Sequence, residues 1–311
     1  MMPALKPVEE FGLASDVLPL TQRRAADFLE LTKPRIVTMV ALTALFGYYL
    51  APATAAFDWI RLIVTLVGTS LAAAGTMTLN QYLERDLDAQ MLRTRQRPLP
   101  DGRVAPFDAL VFGTALTIVG ILLLLVAVNP LSAAVTAATS ISYLFAYTPL
   151  KTRTSLCTLV GAVPGALPPL TGWAAASGSL DVSAWAVFAI MFVWQIPHSL
   201  AIAQMYRDDY ARGGFALLPV VDPDGTSTAR QILTYSLALV SVGMVPTLLG
   251  LAGPIYFAAS IVLGFGMLAP SYRLARSAKT ADARRVMFAS LIYLPVLFAI
   301  MAADKLPSSP W

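Results

Sequence analysis

The chain has 311 residues, of which 57% are hydrophobic and only 13% are charged, and its formal net charge is +4. Water-soluble domains carry roughly 25% charged residues, so a soluble protein of this composition would aggregate. The basic residues lie between long apolar runs, a pattern typical of membrane topology that argues against a nucleic-acid partner. The single cysteine, Cys157, excludes an internal disulfide.

The amino-terminal stretch is polar and carries acidic residues such as Glu9 and Glu10. It has neither the apolar core of a cleavable signal peptide nor the acid-poor composition of a transit peptide. We therefore expect residues 1–33 to be a retained polar cytoplasmic tail. Residues 34–305 are expected to form a single transmembrane domain, because no connecting segment is long enough to fold alone. Residues 306–311 then form a short carboxyl-terminal tail.

The apolar runs are long enough to cross a bilayer as helices and lack the alternation of a transmembrane β-barrel. They predict an all-α polytopic membrane protein, a bundle of nine transmembrane helices at approximately 36–53, 59–80, 107–128, 131–149, 157–177, 183–205, 231–251, 254–272 and 286–303. In this arrangement 20 of the 22 lysines and arginines lie on one side, and only Arg61 and Lys305 lie on the other. The positive-inside rule therefore predicts a cytoplasmic amino terminus and an external carboxyl terminus.

The connection after the second span is the most polar part of the chain. Asn80, Glu84 and Asp88 recur every four residues, so on a helix they share one face and span about 12 Å. Oxygen-bearing side chains are the ligands of hard cations, and Arg93 and Arg97 follow where an anion can be clamped. The alternative is a solvated loop whose charges pair with one another.

A second acidic pair, Asp208 and Asp209, lies in the sequence YRDDY at the end of the sixth span, as YLERD lies at the end of the second. Both sequences fall on the cytoplasmic face of the predicted topology, which favours two halves that face one pocket. Lys151 and Arg153 follow the fourth span on the same face. Phosphate binding and simple positive-inside anchoring explain these two basic residues equally well.

Together these residues predict a divalent cation such as Mg²⁺ that binds a diphosphate substrate at the cytoplasmic rim. The proposed catalytic and metal-binding residues are Asn80, Glu84, Asp88, Asp208 and Asp209. The proposed diphosphate-binding residues are Arg93, Arg97, Lys151 and Arg153. A nucleotide is not expected, because the sequence contains no Walker A motif. A long hydrocarbon substrate lying among the helices would allow metal-assisted loss of diphosphate in a dry pocket.

The single histidine, His198, lies inside the sixth predicted span beside Pro197. A lone histidine in a membrane helix is either a hydrogen-bonding partner of a neighbouring helix, an axial ligand of haem iron or a general base, and the residues alone leave these roles open. The run Gly161–Trp173 is rich in glycine and proline, which predicts a kinked helix beside a cavity or close helix packing.

The sequence from Asn80 to Gly102 resembles the motif of the UbiA-type intramembrane prenyltransferases, N-x-x-x-E-x-x-L-D-x-x-M-x-R-T-x-x-R-x-x-x-x-G. Glu84 stands where many relatives carry aspartate. The segments YTPLKTRTS, GAVPGALPPLTGW, WQIPHSLAIA and YRDDYARGGFALLP extend the resemblance, which is strongest to the haem-specific branch. It implies a nine-helix bundle in the bacterial inner membrane, with farnesyl diphosphate and haem b as substrates, Mg²⁺ at the two acidic motifs and His198 in contact with haem.

Two other functions remain open at this level. A sister prenyltransferase that acts on a quinone precursor or on chlorophyllide would share the fold and the first motif. A transporter of an anionic solute is a different class, but transporters tend to bury charge near the middle of the bilayer, whereas these charges lie at one rim. Haem-modifying or oxidase assembly proteins acting downstream are further expected partners in the haem-specific case.

Overall fold

The computed structural model describes residues 20–52, 57–277 and 279–307, with side chains from residue 24 onward. Residues 1–19 of the predicted amino-terminal tail and residues 308–311 of the predicted carboxyl-terminal tail lie outside these ranges. Apart from one isolated bridge between Ala252 and Lys305, the regular structure of the described residues is helical, as the apolar runs predict.

The described residues form fourteen α-helices. The first seven are α1 (Leu20–Leu31), α2 (Pro34–Leu50), α3 (Trp59–Asp88), α4 (Pro106–Ala127), α5 (Pro130–Ile141), α6 (Thr148–Leu150) and α7 (Cys157–Ala166). The others are α8 (Pro168–Ser177), α9 (Val182–Met205), α10 (Arg207–Arg212), α11 (Leu218–Val221), α12 (Thr226–Leu248), α13 (Pro254–Ser277) and α14 (Thr280–Ala303). A π-helical segment, Ser142–Tyr147, joins α5 to α6.

Six of these helices, namely α3, α4, α9, α12, α13 and α14, are long and apolar enough to cross a membrane, and α2 is a shorter apolar helix. Two predicted spans are not single α-helices. The span at 131–149 is α5 continued through the π-helical segment into α6, and the span at 157–177 is the pair α7 and α8. The protein is an integral multi-pass membrane protein.

Several helices continue past the apolar part of their sequence. The side chain of Asp58 caps the start of α3 by accepting a hydrogen bond from the Arg61 amide. The helix then runs to Asp88, about two turns beyond the predicted end at residue 80. This extension occurs because the residues after Asn80 are good helix formers, and it carries the first acidic motif out of the apolar region.

The glycine- and proline-rich run does form a broken helix. The axis is interrupted at Leu167, between α7 and α8, where Pro168 begins the second piece. Gly172 also allows close packing, because a Cβ atom at this position would collide with the carbonyl oxygen of Ala44 in α2. The run therefore contains the predicted break and also packs closely against α2.

Helix α1 packs against the bundle within the stretch predicted as a polar tail. Leu31 is fully buried in a small cluster with Leu99 and Val104. The side-chain Nε2 atom of Gln81 donates a hydrogen bond to the backbone carbonyl oxygen of Leu31 at 2.8 Å. Arg103 pairs with acidic side chains of α1, among them Asp27. These contacts fix the connection after α3 against α1 at one end of the bundle.

Candidate functional site

A polar pocket of about 200 Å³ lies at the end of α3. It is lined by Lys33, Asn80, Glu84, Asp88, Met91, Arg93, Arg97, Tyr143, Tyr147, Lys151, Tyr210, Phe215 and Leu217. Four basic side chains face two carboxylates, so the pocket carries an excess of positive charge. A concave site of this kind attracts an anionic ligand.

The three predicted ligands of the first motif all lie on one face of α3, as their spacing predicted, and all are buried. Glu84 Oε1 lies 2.7 Å from Lys151 Nζ, and Asp88 Oδ2 lies 2.7 Å from the guanidinium of Arg97. Buried carboxylates need such partners, because an unpaired charge in this setting is strongly destabilising. The predicted pairing of acids with nearby basic residues is therefore present, but it occurs inside a pocket and not on a solvated loop.

Lys151 is held in an aromatic surrounding. Its ammonium lies 4.5 Å from the ring centre of Tyr147 and 5.9 Å from that of Tyr143, within the range of cation–π attraction. Burial alone disfavours the ammonium, but the oxygens of Tyr147 and Glu84 outweigh it and hold the pKa of Lys151 well above its usual value. Lys151 thus contributes an ammonium to the polar pocket that is paired with Glu84.

Lys33 lines this pocket as well, although no sequence motif predicted it. Its ammonium donates a hydrogen bond to Asn80 Oδ1 at 3.0 Å. Its backbone is left-handed, with a φ of 50°, and among the described non-glycine residues it alone has a positive φ. Such a conformation costs roughly 1–3 kcal/mol and is found preferentially at functional sites. Burial and the positive charge of Arg97 lower the pKa of Lys33 to about 7, so an anion in the pocket would favour its charged form.

Asp209 holds the loop that follows α3. Its Oδ1 accepts hydrogen bonds from the Leu92 amide at 2.8 Å and from Arg212 at 2.7 Å, and its Oδ2 accepts one from the Arg93 amide at 3.3 Å. Burial would raise the pKa of this carboxyl, but these hydrogen bonds outweigh it and lower the pKa below its usual value. The second acidic motif therefore contacts the first through the loop backbone, consistent with two halves of the chain meeting at one site.

Three of the predicted catalytic and diphosphate-binding residues do not line the polar pocket, namely Asp208, Asp209 and Arg153. Asp208 is exposed next to the buried Asp209, and Arg153 is exposed two residues after Lys151. Arg93 does line it, with its guanidinium stacked over the rings of Tyr206 and Tyr210 at 4.8 and 5.1 Å. The spacing of a motif cannot show which of two adjacent residues turns inward, since that depends on how the helix is rotated about its axis relative to the neighbouring helices.

An apolar cavity of about 400 Å³ adjoins the polar pocket. It extends between α2, α3, α5, α7, α8 and α9, and it shares four wall residues with the polar pocket, namely Tyr143, Tyr147, Tyr210 and Leu217. Pro164 and Gly165, from the broken helix, line it as well. Its volume falls in the range of about 300–1,000 Å³ that is common for small-molecule sites.

His198 lies away from both of these spaces. Its Nδ1 is 2.7 Å from the hydroxyl of Ser290 in α14, and its ring stacks on Trp194 with the ring centres 4.8 Å apart. Neither the polar pocket nor the apolar cavity includes it among its lining residues. The contact with α14 matches the first of the roles considered for this residue, a hydrogen bond to a neighbouring helix.

The ligand set suits a magnesium ion that arrives with its substrate. Among the described residues no group of three His, Cys, Asp or Glu side chains is close enough to hold a metal on its own. Mg²⁺ commonly takes one or two carboxylates and completes its shell with substrate phosphates and water. Glu84 and Asp88, with the oxygen of Asn80, fit this donor set, while the excess positive charge fits the phosphates.

A bundle of apolar helices with an oxygen-rich, net-positive pocket at one end defines an integral-membrane protein whose site is suited to a metal-bound anion with an apolar tail. Residues 40–292 match the UbiA prenyltransferase family. The chain belongs to this family, as the Asn80–Gly102 motif predicted, and it is an enzyme.

Relatives with a more specific name align over nearly the whole chain. Proteins named protoheme IX farnesyltransferase from Solibacter usitatus and Salinibacter ruber are each 46% identical to it. The first alignment covers 90% of this chain and 98% of the relative, and the second covers 89% and 98%. The predicted resemblance to the haem-specific branch is confirmed.

Solved structures share the fold at low sequence identity. The digeranylgeranylglyceryl phosphate synthase structure has a TM-score of 0.76 at 14% identity, over 90% of this chain and 98% of that chain. A UbiA homologue from Archaeoglobus fulgidus bound to GPP and Mg²⁺ has a TM-score of 0.61 at 14% identity, over 89% and 99%. At these identities the likeness establishes the fold alone.

Proposed function

We propose that the protein transfers the farnesyl group of farnesyl diphosphate to a vinyl group of haem b and so forms haem O. The observation that carries the proposal is the direct contact of a net-positive polar pocket with an apolar cavity across one wall of tyrosines. A prenyl diphosphate has the same two parts, an anionic head and a hydrocarbon chain. The names of the relatives that are 46% identical support haem as the acceptor.

The basic residues of the polar pocket bind the diphosphate in this proposal. Arg93, Arg97, Lys151 and Lys33 line one space, so their donors converge on the phosphate oxygens. Arg153, which was predicted for the same role, lies outside that lining, and its contribution stays a prediction. Charge-assisted hydrogen bonds of this kind grow stronger as negative charge develops on the leaving group.

Asn80, Glu84 and Asp88 are the proposed ligands of Mg²⁺, and the predicted contribution of Asp208 and Asp209 stays a prediction. A magnesium ion bound to the diphosphate stabilises the charge of the leaving group. The A. fulgidus homologue bound to GPP and Mg²⁺ supports this choice of metal. The role of Asp209 that its contacts support is to hold the Leu92–Arg93 backbone beside the metal ligands.

The reaction needs no redox cofactor. The allylic C–O bond breaks with its electron pair leaving on the diphosphate, and the haem vinyl group supplies the electron pair of the new C–C bond. Water adds to the resulting cation and loses a proton, which leaves a hydroxyethylfarnesyl substituent. The apolar cavity keeps water from the first cation, and its 400 Å³ give the farnesyl chain a place among the helices.

His198 is the proposed contact to haem, as an iron ligand or a neighbour of the porphyrin. Its Nδ1 is engaged by Ser290, and a partner of this type commonly fixes the ring of a ligating histidine. The proposal leaves Nε2 for the iron.

We further propose the nine-span topology over residues 34–305, with the amino terminus and the site on the cytoplasmic face of a bacterial inner membrane. The distribution of lysine and arginine supports it. A reporter fused to the carboxyl terminus is expected to be active only outside the cytoplasm. Reporter activity in the cytoplasm would remove one span from the topology. Haem-modifying or oxidase assembly proteins are the proposed downstream partners.

An acceptor competition tests the proposed function against its closest alternative. The purified full chain, with Mg²⁺ and labelled farnesyl diphosphate, receives haem b together with a quinone precursor or chlorophyllide in equal amount. We expect the label in haem. Label in one of the other acceptors would assign the chain to a sister activity, and uptake of an anion into vesicles without any transfer would favour a transporter.

A further inference from the structure

We infer that Thr148 is a positioning residue, which fixes the side-chain amide of Asn80 with its oxygen toward the polar pocket. The inference rests on the proposed function, because it explains how one proposed metal ligand receives its orientation. An asparagine presents an oxygen at one end of its amide and a nitrogen at the other, and only the oxygen can bind a cation.

The hydroxyl proton of Thr148 is committed to its own helix. Thr148 follows the π-helical segment Ser142–Tyr147, and both its backbone amide and its hydroxyl donate to the carbonyl oxygen of Tyr143, the hydroxyl at 2.9 Å. Single π turns inside helices occur frequently at functional sites. Because the proton is used in this way, the hydroxyl oxygen is left to act as an acceptor.

That acceptor faces Asn80. The Nδ2 atom of Asn80 donates to Thr148 Oγ1 at 3.2 Å, so the amide oxygen points the other way, where Lys33 donates to it at 3.0 Å. In the reversed amide two acceptors would meet at Thr148 and two donors would meet at Lys33. Both hydrogen bonds would be lost, so Thr148 and Lys33 together select one orientation.

Burial of both side chains strengthens the preference for this orientation of the Asn80 amide. Asn80 is 1% exposed and Thr148 is 7% exposed, so water does not readily replace a lost partner. Residues that orient a metal ligand through a hydrogen bond typically change metal affinity or activity by about 10–100-fold when they are removed. We expect a change of this size when Thr148 loses its hydroxyl.

The test compares Thr148→Val, which keeps the branched shape but has no hydroxyl, with Thr148→Ser, which keeps the hydroxyl. Thr78→Val is the matched control. Thr78 is a buried threonine of α3, and its hydroxyl donates a hydrogen bond only to the carbonyl oxygen of Ala74 in the same helix. Each full-length protein is titrated with Mn²⁺ in the presence of inorganic diphosphate. Free Mn²⁺ is read from its electron paramagnetic resonance signal, and thermal unfolding is recorded in parallel.

The inference predicts that Thr148→Val raises the Kd for Mn²⁺ by about tenfold or more, while Thr148→Ser and Thr78→Val stay near the wild type. Equal Mn²⁺ affinity in folded Thr148→Val and wild type would overturn the positioning role, even if unfolding occurs at a lower temperature, and would leave the proposed function standing. Failure of the wild type to bind Mn²⁺ with diphosphate would instead overturn the metal site itself. If Thr148→Val does not fold, Thr148→Cys replaces it, because its thiol is a weak donor and acceptor.

Discussion

The carboxylate of Glu84 and the ammonium of Lys151 form a buried ion pair of 2.7 Å that joins α3 to the turn after α6. The side chains are 7% and 12% exposed, so each charge depends on the other for its stabilisation. The pair lies in the wall of the polar pocket, where an anionic ligand would compete with Glu84 for the same ammonium. This relationship makes Lys151 the basic residue whose removal is most informative.

Removing that ammonium should weaken binding of the prenyl diphosphate. We expect Lys151→Met to raise the KM for farnesyl diphosphate by about tenfold or more, the scale of one charge-assisted hydrogen bond, and to change the KM for haem less. Lys279→Met is the control, because Lys279 is an exposed basic residue outside the polar pocket. Steady-state kinetics with each substrate varied in turn gives both constants. An effect confined to the haem KM would reverse the assignment.

The metal-binding role of the first motif predicts a contrast between two neighbouring aspartates. Asp88 lies in the polar pocket with its side chain 1% exposed, whereas the Asp86 side chain is 84% exposed. Asp88→Asn should lower kcat on the order of 10²-fold, the scale of one lost transition-state stabiliser, and Asp86→Asn should stay near the wild type. Chelation should abolish turnover of the wild type, and Mg²⁺ should restore it. Near-normal turnover of Asp88→Asn at limiting Mg²⁺ would exclude this carboxylate as a ligand.

The second acidic motif predicts an asymmetry of the same kind. Asp209 binds the backbone of Leu92 and Arg93, whereas Asp208 is exposed. We expect Asp209→Asn to lose on the order of 10²-fold in kcat/KM, and Asp208→Asn to lose much less. Both variants are compared by the same turnover assay. Equal, large losses would instead support the original prediction that both aspartates bind metal.

The haem contact can be tested apart from prenyl binding. If His198 ligates iron, His198→Ala should shift the visible spectrum of bound haem and weaken haem binding, while the affinity for farnesyl diphosphate stays within about threefold. Ser290→Ala serves as a graded comparison, because it removes only the partner of Nδ1 and should cause a smaller shift. A haem spectrum and affinity that are unchanged in His198→Ala would exclude the ligand role and leave prenyl transfer intact.

The sequence predicted best those features that depend on local periodicity. The spacing of Asn80, Glu84 and Asp88 defines one face of one helix, and the apolar content of that helix is enough to place it in a membrane bundle. The break at Leu167 follows equally from the prolines and glycines around it. These predictions need no information about other elements.

The remaining parts of the site depend on how separate elements meet. Lys33 reaches the polar pocket because its backbone is left-handed directly before Pro34, a conformation that sequence does not predict for lysine. Its position just before a helix, at the rim that the predicted topology places in the cytoplasm, was the one available signal. Tyr143 and Tyr147 enter the shared wall through a π-helical segment, whose extra residue per turn shifts the face on which later side chains lie.

The most direct test of the account is to incubate the purified wild-type protein with haem b, farnesyl diphosphate and Mg²⁺, and to analyse the extracted pigments by mass. We expect one new pigment, heavier than haem b by one farnesyl group and one hydroxyl group, and its absence when metal is chelated. Failure to form any farnesylated haem, with both substrates and the metal present and the protein folded, would contradict the proposed function.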